Sequence, residues 1–248
     1  MKTILCIAAN LCMLVTATTV NAQPDLCKYE MGVFGSLFIY QGDLSPSRLG
    51  SYRTMQPGFS FFINRNLNAA YTLRVNFARG RLVGDDSKFA LPVWRRFRNF
   101  KFTSPVTEIS ALIVWHPFEW INTERIRNFS PYAFGGVGIS FLKIKQDYSG
   151  LVASHFPAEN IAVHLAVDQQ HGSPSVIPVI PVGIGLRYAV SDKISVFAES
   201  SYRFLFTDYI DSYSRSANPK QKDSYHSHSV GVIFHFGKKR NLDCPVVK

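Results

Sequence analysis

The chain has 248 residues, 46% of them hydrophobic and 18% charged, with 14% aromatic and Phe alone occurring 20 times; its formal charge is +10. That composition excludes a disordered tail, a collagen-like repeat, a coiled coil and a disulfide-dense miniprotein. It leaves one or two domains with a buried core.

In chain order, Lys2 precedes an apolar stretch over 4–15 that turns small and polar and ends Val20-Asn21-Ala22 before Gln23. This layout predicts a secretory signal over 1–22, cleaved after Ala22. The apolar stretch is short for a transmembrane anchor. Neither Cys6 nor Cys12 stands at the end of the signal, where a lipoprotein cysteine would be. The exported part, 23–248, is expected to form a single domain. Outside the cytoplasm its basic balance no longer argues for nucleic acid, and no nucleic acid is expected; phosphate or carboxylate groups of lipid or envelope proteins are the better candidates.

After Ala22 no apolar run approaches 18 residues, so no transmembrane helix is expected. What recurs is period-two alternation in segments of roughly ten residues. Strands are predicted at 29–40, 55–63, 67–77, 102–115, 132–143, 179–190, 194–206 and 225–236, an even count. In the third, Leu67, Ala69, Tyr71, Leu73, Val75 and Phe77 oppose Asn68, Ala70, Thr72, Arg74 and Asn76. In the last, Val230, Val232, Phe234 and Phe236 oppose Ser227, Ser229, Gly231 and His235. Alternation is weaker in the first, fourth and fifth segments.

A soluble sandwich also alternates, but its polar face meets water and carries Lys and Glu. Here the polar face is small and poor in lysine, as a narrow lumen requires. The apolar face carries Tyr and Phe near its ends, like an aromatic girdle. Asn64-Arg65-Asn66 and Ser191-Asp192-Lys193 read as short turns, and 41–54, 78–101, 144–178 and 207–224 as long loops. Short periplasmic turns and long outward loops are the outer-membrane pattern. The 116–130 connection is long for a periplasmic turn. The predicted fold is therefore all-β: an eight-stranded antiparallel outer-membrane β-barrel with a side-chain-filled lumen.

The lumen face carries Glu30, Arg74, Glu108, Arg187, Glu199 and Arg203, three acids against three bases. Turned to the lipid midplane, the three arginines would cost about 6–12 kcal/mol, so they are expected to point inward and pair. Partial exposure at strand ends is an alternative for Glu30 and Arg203. A lumen plugged by these ions argues against a small-solute porin.

His226 and His228 alternate with Ser227 and Ser229, which lie on the opposite face, so no Ser–His hydrogen bond forms along that strand. A lipid-modifying enzyme is the alternative they keep open. No third ligand completes a metal site with them, and no catalytic, cofactor-binding or metal residue is assigned. In the second long loop region Arg79, Arg81, Lys88, Arg95, Arg96, Arg98 and Lys101 face only Asp85 and Asp86. Such a cluster could grip phosphate groups of surface glycolipid or simply keep the barrel mouth solvated.

Of the cysteines only Cys27 and Cys244 survive cleavage, near the two chain ends. In an even-stranded barrel both ends emerge on the oxidising periplasmic side. They could bridge each other, or one could bond a partner. Beyond the terminal Phe236, Lys238, Lys239 and Arg240 give a basic periplasmic tail over 237–248 suited to docking.

The stretches YQGDLS, RNFKFTSPVTEIS, SPYAFGGVGISFLK, PVGIGLRYAV, FTDYIDSYS and FHFGKKRNLDCP follow one another across 29–245. In order and spacing they resemble the PorG-like outer-membrane barrels of the type IX protein secretion machinery of Bacteroidota. The resemblance implies a non-enzymatic, cofactor-free membrane component that meets the PorK lipoprotein and the PorN ring on the periplasmic side. HLAVDQQHGSP departs from that pattern.

Overall fold

The computed structural model describes residues 29–47, 50–118, 129–156, 160–171, 175–206, 213 and 223–236, all within one compact unit. The predicted signal, Cys27, Cys244, Lys238, Lys239, Arg240 and most of the 116–130 connection lie outside the described residues.

The strands are β1 (Tyr29–Gln41), β2 (Gln56–Asn66), β3 (Tyr71–Asp85), β4 (Lys101–Trp115), β5 (Phe129–Leu142), β6 (Lys145–Asp147), β7 (Val176–Ala189), β8 (Ile194–Leu205) and β9 (Ser224–Phe236). Eight of them form an antiparallel ring in the order β3-β2-β1-β9-β8-β7-β5-β4, closed by β3 against β4. The ninth, β6, lies outside the ring and pairs with Lys101–Thr103 at the outer end of β4. Closure satisfies every strand edge internally, which hydrocarbon demands of a spanning sheet.

The outward rows are apolar over most of their length. Phe59, Val75, Ile109, Ile139, Ile184 and Val230 are among the exposed side chains. An exposed apolar surface on this scale requires lipid, and the chain is an outer-membrane barrel. At the periplasmic rim the register sets Tyr29 opposite Phe236, Tyr71 opposite Trp115 and Phe129 opposite Tyr188. These six rings make the lower aromatic girdle.

Several strand boundaries differ from the sequence reading; β5 and β7, for instance, begin at Phe129 and Val176 rather than at 132 and 179. β2 continues through Asn66, and the turn to β3 falls at 67–70 rather than at Asn64-Arg65-Asn66. The Asn68 side chain makes that turn by accepting from the backbone N–H groups of Ala70 and Tyr71 at 2.9 and 2.8 Å. Asn64 and Asn66 instead turn inward to Glu30. β3 also runs on to Asp85, pairing with β4 well past the expected end at 77.

The long loops carry structure that the alternation does not foretell. Between β3 and β4 lies helix α1 (Trp94–Arg98), and between β6 and β7 helix α2 (Ile161–His171). The HLAV stretch lies in α2, whose Ile161 and Leu165 are buried. They join Leu44, Phe100, Phe156 and Tyr213 in an apolar cluster continuous with Phe38, Val179 and Leu205 at the barrel mouth. The loops thus close over the outer opening instead of framing it.

Inside the barrel the small residues serve to receive rings. A Cβ on Gly80 would lie 2.4 Å from the Phe38 ring, and one on Gly58 2.5 Å from it. Phe38 therefore occupies a slot cut by two glycines on neighbouring strands. Gly80→Val should cost about 1–3 kcal/mol by overpacking, and Phe38→Ala about 3–5 kcal/mol by leaving a cavity. Urea unfolding of the refolded barrel should find the double variant more stable than the sum of the two single losses.

Candidate functional site

Inward-facing residues build the lumen in layers, beginning at the periplasmic end. Glu30, from β1, sits at the centre of the first. Asn64 donates to it at 2.9 Å and Asn66 at 3.2 Å, both from β2. Arg187, from β7, donates at 3.3 Å. The ring of His235, from β9, has Nδ1 3.1 Å from the same carboxylate and Nε2 2.8 Å from the Ser195 hydroxyl. Four strands meet on this one acid.

Above it Arg74, from β3, crosses the barrel to an ion pair with Glu199, from β8. The Arg74 Nε donates to Asn64 at 3.1 Å, and its guanidinium lies 3.9 Å from the Phe62 ring centroid. Tyr132, from β5, donates to Glu199 at 2.7 Å. Beside this pair Phe34, Phe62 and Phe197 pack their rings 5.4–5.7 Å apart.

The third layer joins Glu108, from β4, to Arg203, from β8, at 3.1 Å. Tyr225 donates to Glu108 at 2.8 Å. Arg203 also donates to the hydroxyls of Ser201 and Ser227, each at 2.6 Å. Glu30 and Arg203, the two for which exposure at strand ends was an alternative, are 3% and 5% exposed. The six charges of the lumen face thus form three pairs, each linked to at least one neutral polar partner.

Sequence reasoning passed over His235, Asn64, Asn66, Tyr132 and Tyr225 as members of this network. His235 already stood on the inner face by parity. The two asparagines were assigned to a turn. The tyrosines were not separated from girdle rings, because nothing in a single strand's pattern marks a Tyr as facing in.

At the outer end the basic cluster divides. Asp86 is fully buried, with Arg95 donating at 2.8 Å and Arg98 at 2.6 and 3.0 Å. Arg95 also donates to the Ser45 carbonyl at 2.7 Å and Arg98 to that of Asp43 at 3.1 Å. Burial pushes the Arg95 guanidinium below its ordinary range, and the Asp86 charge opposes that. These two arginines staple the loop before β2 to the loop before β4 and present little charge outward. Arg79, Arg81, Lys88 and Arg96 are exposed, and Lys101 is half-buried.

His226 and His228 are half-buried on the outward side of β9, their rings 5.4 Å apart. Ser227 and Ser229 are buried on the lumen side. His228 Nε2 lies 3.1 Å from the Tyr52 hydroxyl, and the two rings stack. Across the register His228 faces Ser200, and the outward rows of β8 (196–204) and β9 (226–234) carry no carboxylate. Among the described residues no group of three or more His, Cys, Asp or Glu is placed to hold a metal ion.

A family profile matches residues 5–235. The chain belongs to that family, described as Domain of unknown function (DUF6089). No curated protein matches the chain. Among solved structures, this DUF6089 barrel is similar to Neisserial surface protein A, at 15% identity over 84% of this chain and 97% of that one, with a TM-score of 0.45. It is similar to the attachment invasion locus protein Ail of Yersinia pestis, at 12% identity over 83% and 96%, with a TM-score of 0.44. A third is OprG of Pseudomonas aeruginosa, at 10% identity over 89% and 100%, with a TM-score of 0.40.

The pairing across the lumen makes a specific demand on stability. Arg74→Met leaves the Glu199 carboxylate buried with Tyr132 as its one remaining donor, and should cost about 3–5 kcal/mol. Adding Glu199→Gln removes the stranded charge and should recover part of that loss. Equilibrium unfolding of the three variants in lipid or detergent checks both directions.

Proposed function

We propose that this barrel is a non-enzymatic outer-membrane component of a type IX protein secretion system. It would anchor the periplasmic ring formed by PorK and PorN. The reading rests on the resemblance of the ordered motifs across 29–245 to PorG-like barrels. The observation that carries it is the filled lumen: ion pairs and rings occupy the interior. A barrel without a passage works through its rims and its lipid-facing surface, which suits an anchor better than a solute channel.

In this reading the outward apolar rows fix the molecule in the bilayer, and the periplasmic side carries the docking groups. Lys238, Lys239 and Arg240 supply positive charge to an acidic surface of the ring. Cys27 and Cys244 provide either an internal bridge or a covalent link to a periplasmic partner. Glycolipid and bulk outer-membrane lipid are the partners of the barrel wall.

Affinity purification of the tagged barrel from cell envelopes tests the assignment. The wild-type chain should bring down PorK and PorN. Reversing the tail charges (Lys238→Glu, Lys239→Glu, Arg240→Glu) should reduce their recovery several-fold at unchanged barrel abundance. Absence of both proteins from the wild-type preparation would overturn the secretion assignment. Undiminished recovery with the reversed tail would remove the tail from the docking surface.

A further inference from the structure

The outer half of β3 carries charges where a lipid-facing strand should not. Its outward row reads Tyr71, Leu73, Val75 and Phe77, then Arg79 and Arg81, both exposed. The register sets Arg79 beside Phe59 on β2 and Thr107 on β4, and Arg81 beside Pro105. Phe59 and Phe61 pack on Phe77 just below, with centroids 6.4 and 5.0 Å away.

The height of these arginines follows from the strand. Arg79 lies eight residues beyond the girdle residue Tyr71, so at roughly 3.3 Å per residue and a tilt near 40° it stands about 20 Å above the lower rim. The apolar band of such barrels is about 25 Å tall. Long side chains there reach up to the outer boundary, the level of lipid phosphates.

Local acids do not neutralise them. Asp86 is taken by Arg95 and Arg98, and the Asp85 carboxylate accepts from the backbone and hydroxyl of Ser87. Among the described residues no carboxylate meets Arg79 or Arg81. Two more exposed cations are held nearby, on the turn at Tyr52–Thr54 and the turn at Asp86–Lys88. Arg53 donates to the Lys88 carbonyl at 3.3 Å, and Lys88 Nζ donates to the Arg53 carbonyl at 3.5 Å. Each side chain thus bonds the other residue's carbonyl and keeps two like charges together, and the turn carrying Arg53 packs against β3. Such an arrangement is complementary to an anion from outside the chain.

We propose that Arg79 and Arg81, supported by Arg53 and Lys88, form a binding site for a phosphorylated glycolipid of the outer leaflet. The guanidinium groups take the phosphate through charge-assisted, fork-shaped hydrogen bonds. Phe59, Phe61 and Phe77 pack against the acyl region beneath. This site is independent of the secretion assignment, since it uses only the lipid-facing wall and the outer loops.

Binding is measured on the full-length barrel purified in detergent, by native mass spectrometry with bis-phosphorylated lipid A and with the same lipid after dephosphorylation. Folding of each variant is checked by heat-modifiable electrophoretic mobility. The wild-type barrel should retain the phosphorylated lipid at least tenfold better than the dephosphorylated one. Arg79→Gln with Arg81→Gln should abolish that preference, and Arg53→Gln with Lys88→Gln should weaken it several-fold. Equal retention of both lipids by the wild type, or an unchanged preference in the folded Arg79→Gln, Arg81→Gln variant, would overturn the proposal. Displacement of the lipid by millimolar inorganic phosphate would mark a free-anion site and overturn it as well.

Discussion

Six charged side chains enclosed in a cylinder with little room beyond side chains must find one another, because an unpaired ion there has neither water nor space. Everything else in this barrel is arranged round that requirement. Glu30 gathers donors from β2, β7 and β9, Arg74 reaches across to Glu199, and Glu108 meets Arg203 beneath the mouth. Rings fill the levels between, and glycines on adjacent strands make room for them. The result is a solid interior wrapped in an apolar exterior, the inverse of a soluble sandwich.

A solid interior redirects the question of function. The packed interior argues for surfaces rather than a passage, and at the outer opening an apolar cluster joins α2 to Phe38 and Leu205. The working surfaces are the periplasmic rim, the lipid-facing wall and the outer loops. The proposed anchoring role would use the first, and the proposed glycolipid site the second and third. The Asp86 staple holds the outer loops together, because Arg95 and Arg98 tie one loop to carbonyls of another.

Much of this was legible in the sequence, for a physical reason. A strand with lipid on one side and a packed lumen on the other must alternate at every residue, so parity alone separates Arg74, Glu199 and Arg203 from their neighbours. The same rule explains the three weakly alternating segments. Phe34, Phe38 and Tyr40 in β1, Phe102 in β4, and Tyr132 and Phe134 in β5 put large rings inside, where small residues were expected. Parity cannot tell an inward ring from a lipid-facing one when both faces are apolar. Turn chemistry misled at Asn64 and Asn66, whose amides serve Glu30, while Asn68 makes the turn. The loops were the least legible. Their small core and the buried Asp86 depend on contacts between segments far apart in the chain, which no local pattern records. Arg79 and Arg81 were read as loop cations because the end of β3 was set too early. On the strand they face lipid.

Single-channel recording in planar bilayers addresses the filled lumen most directly. Folded, purified protein should insert without resolved conductance steps in either polarity, because three layers of ion pairs and packed rings lie across the interior. Reproducible unitary steps from the wild-type barrel would mean that water and ions pass through it, and the account of a plugged, neutralised core would fail.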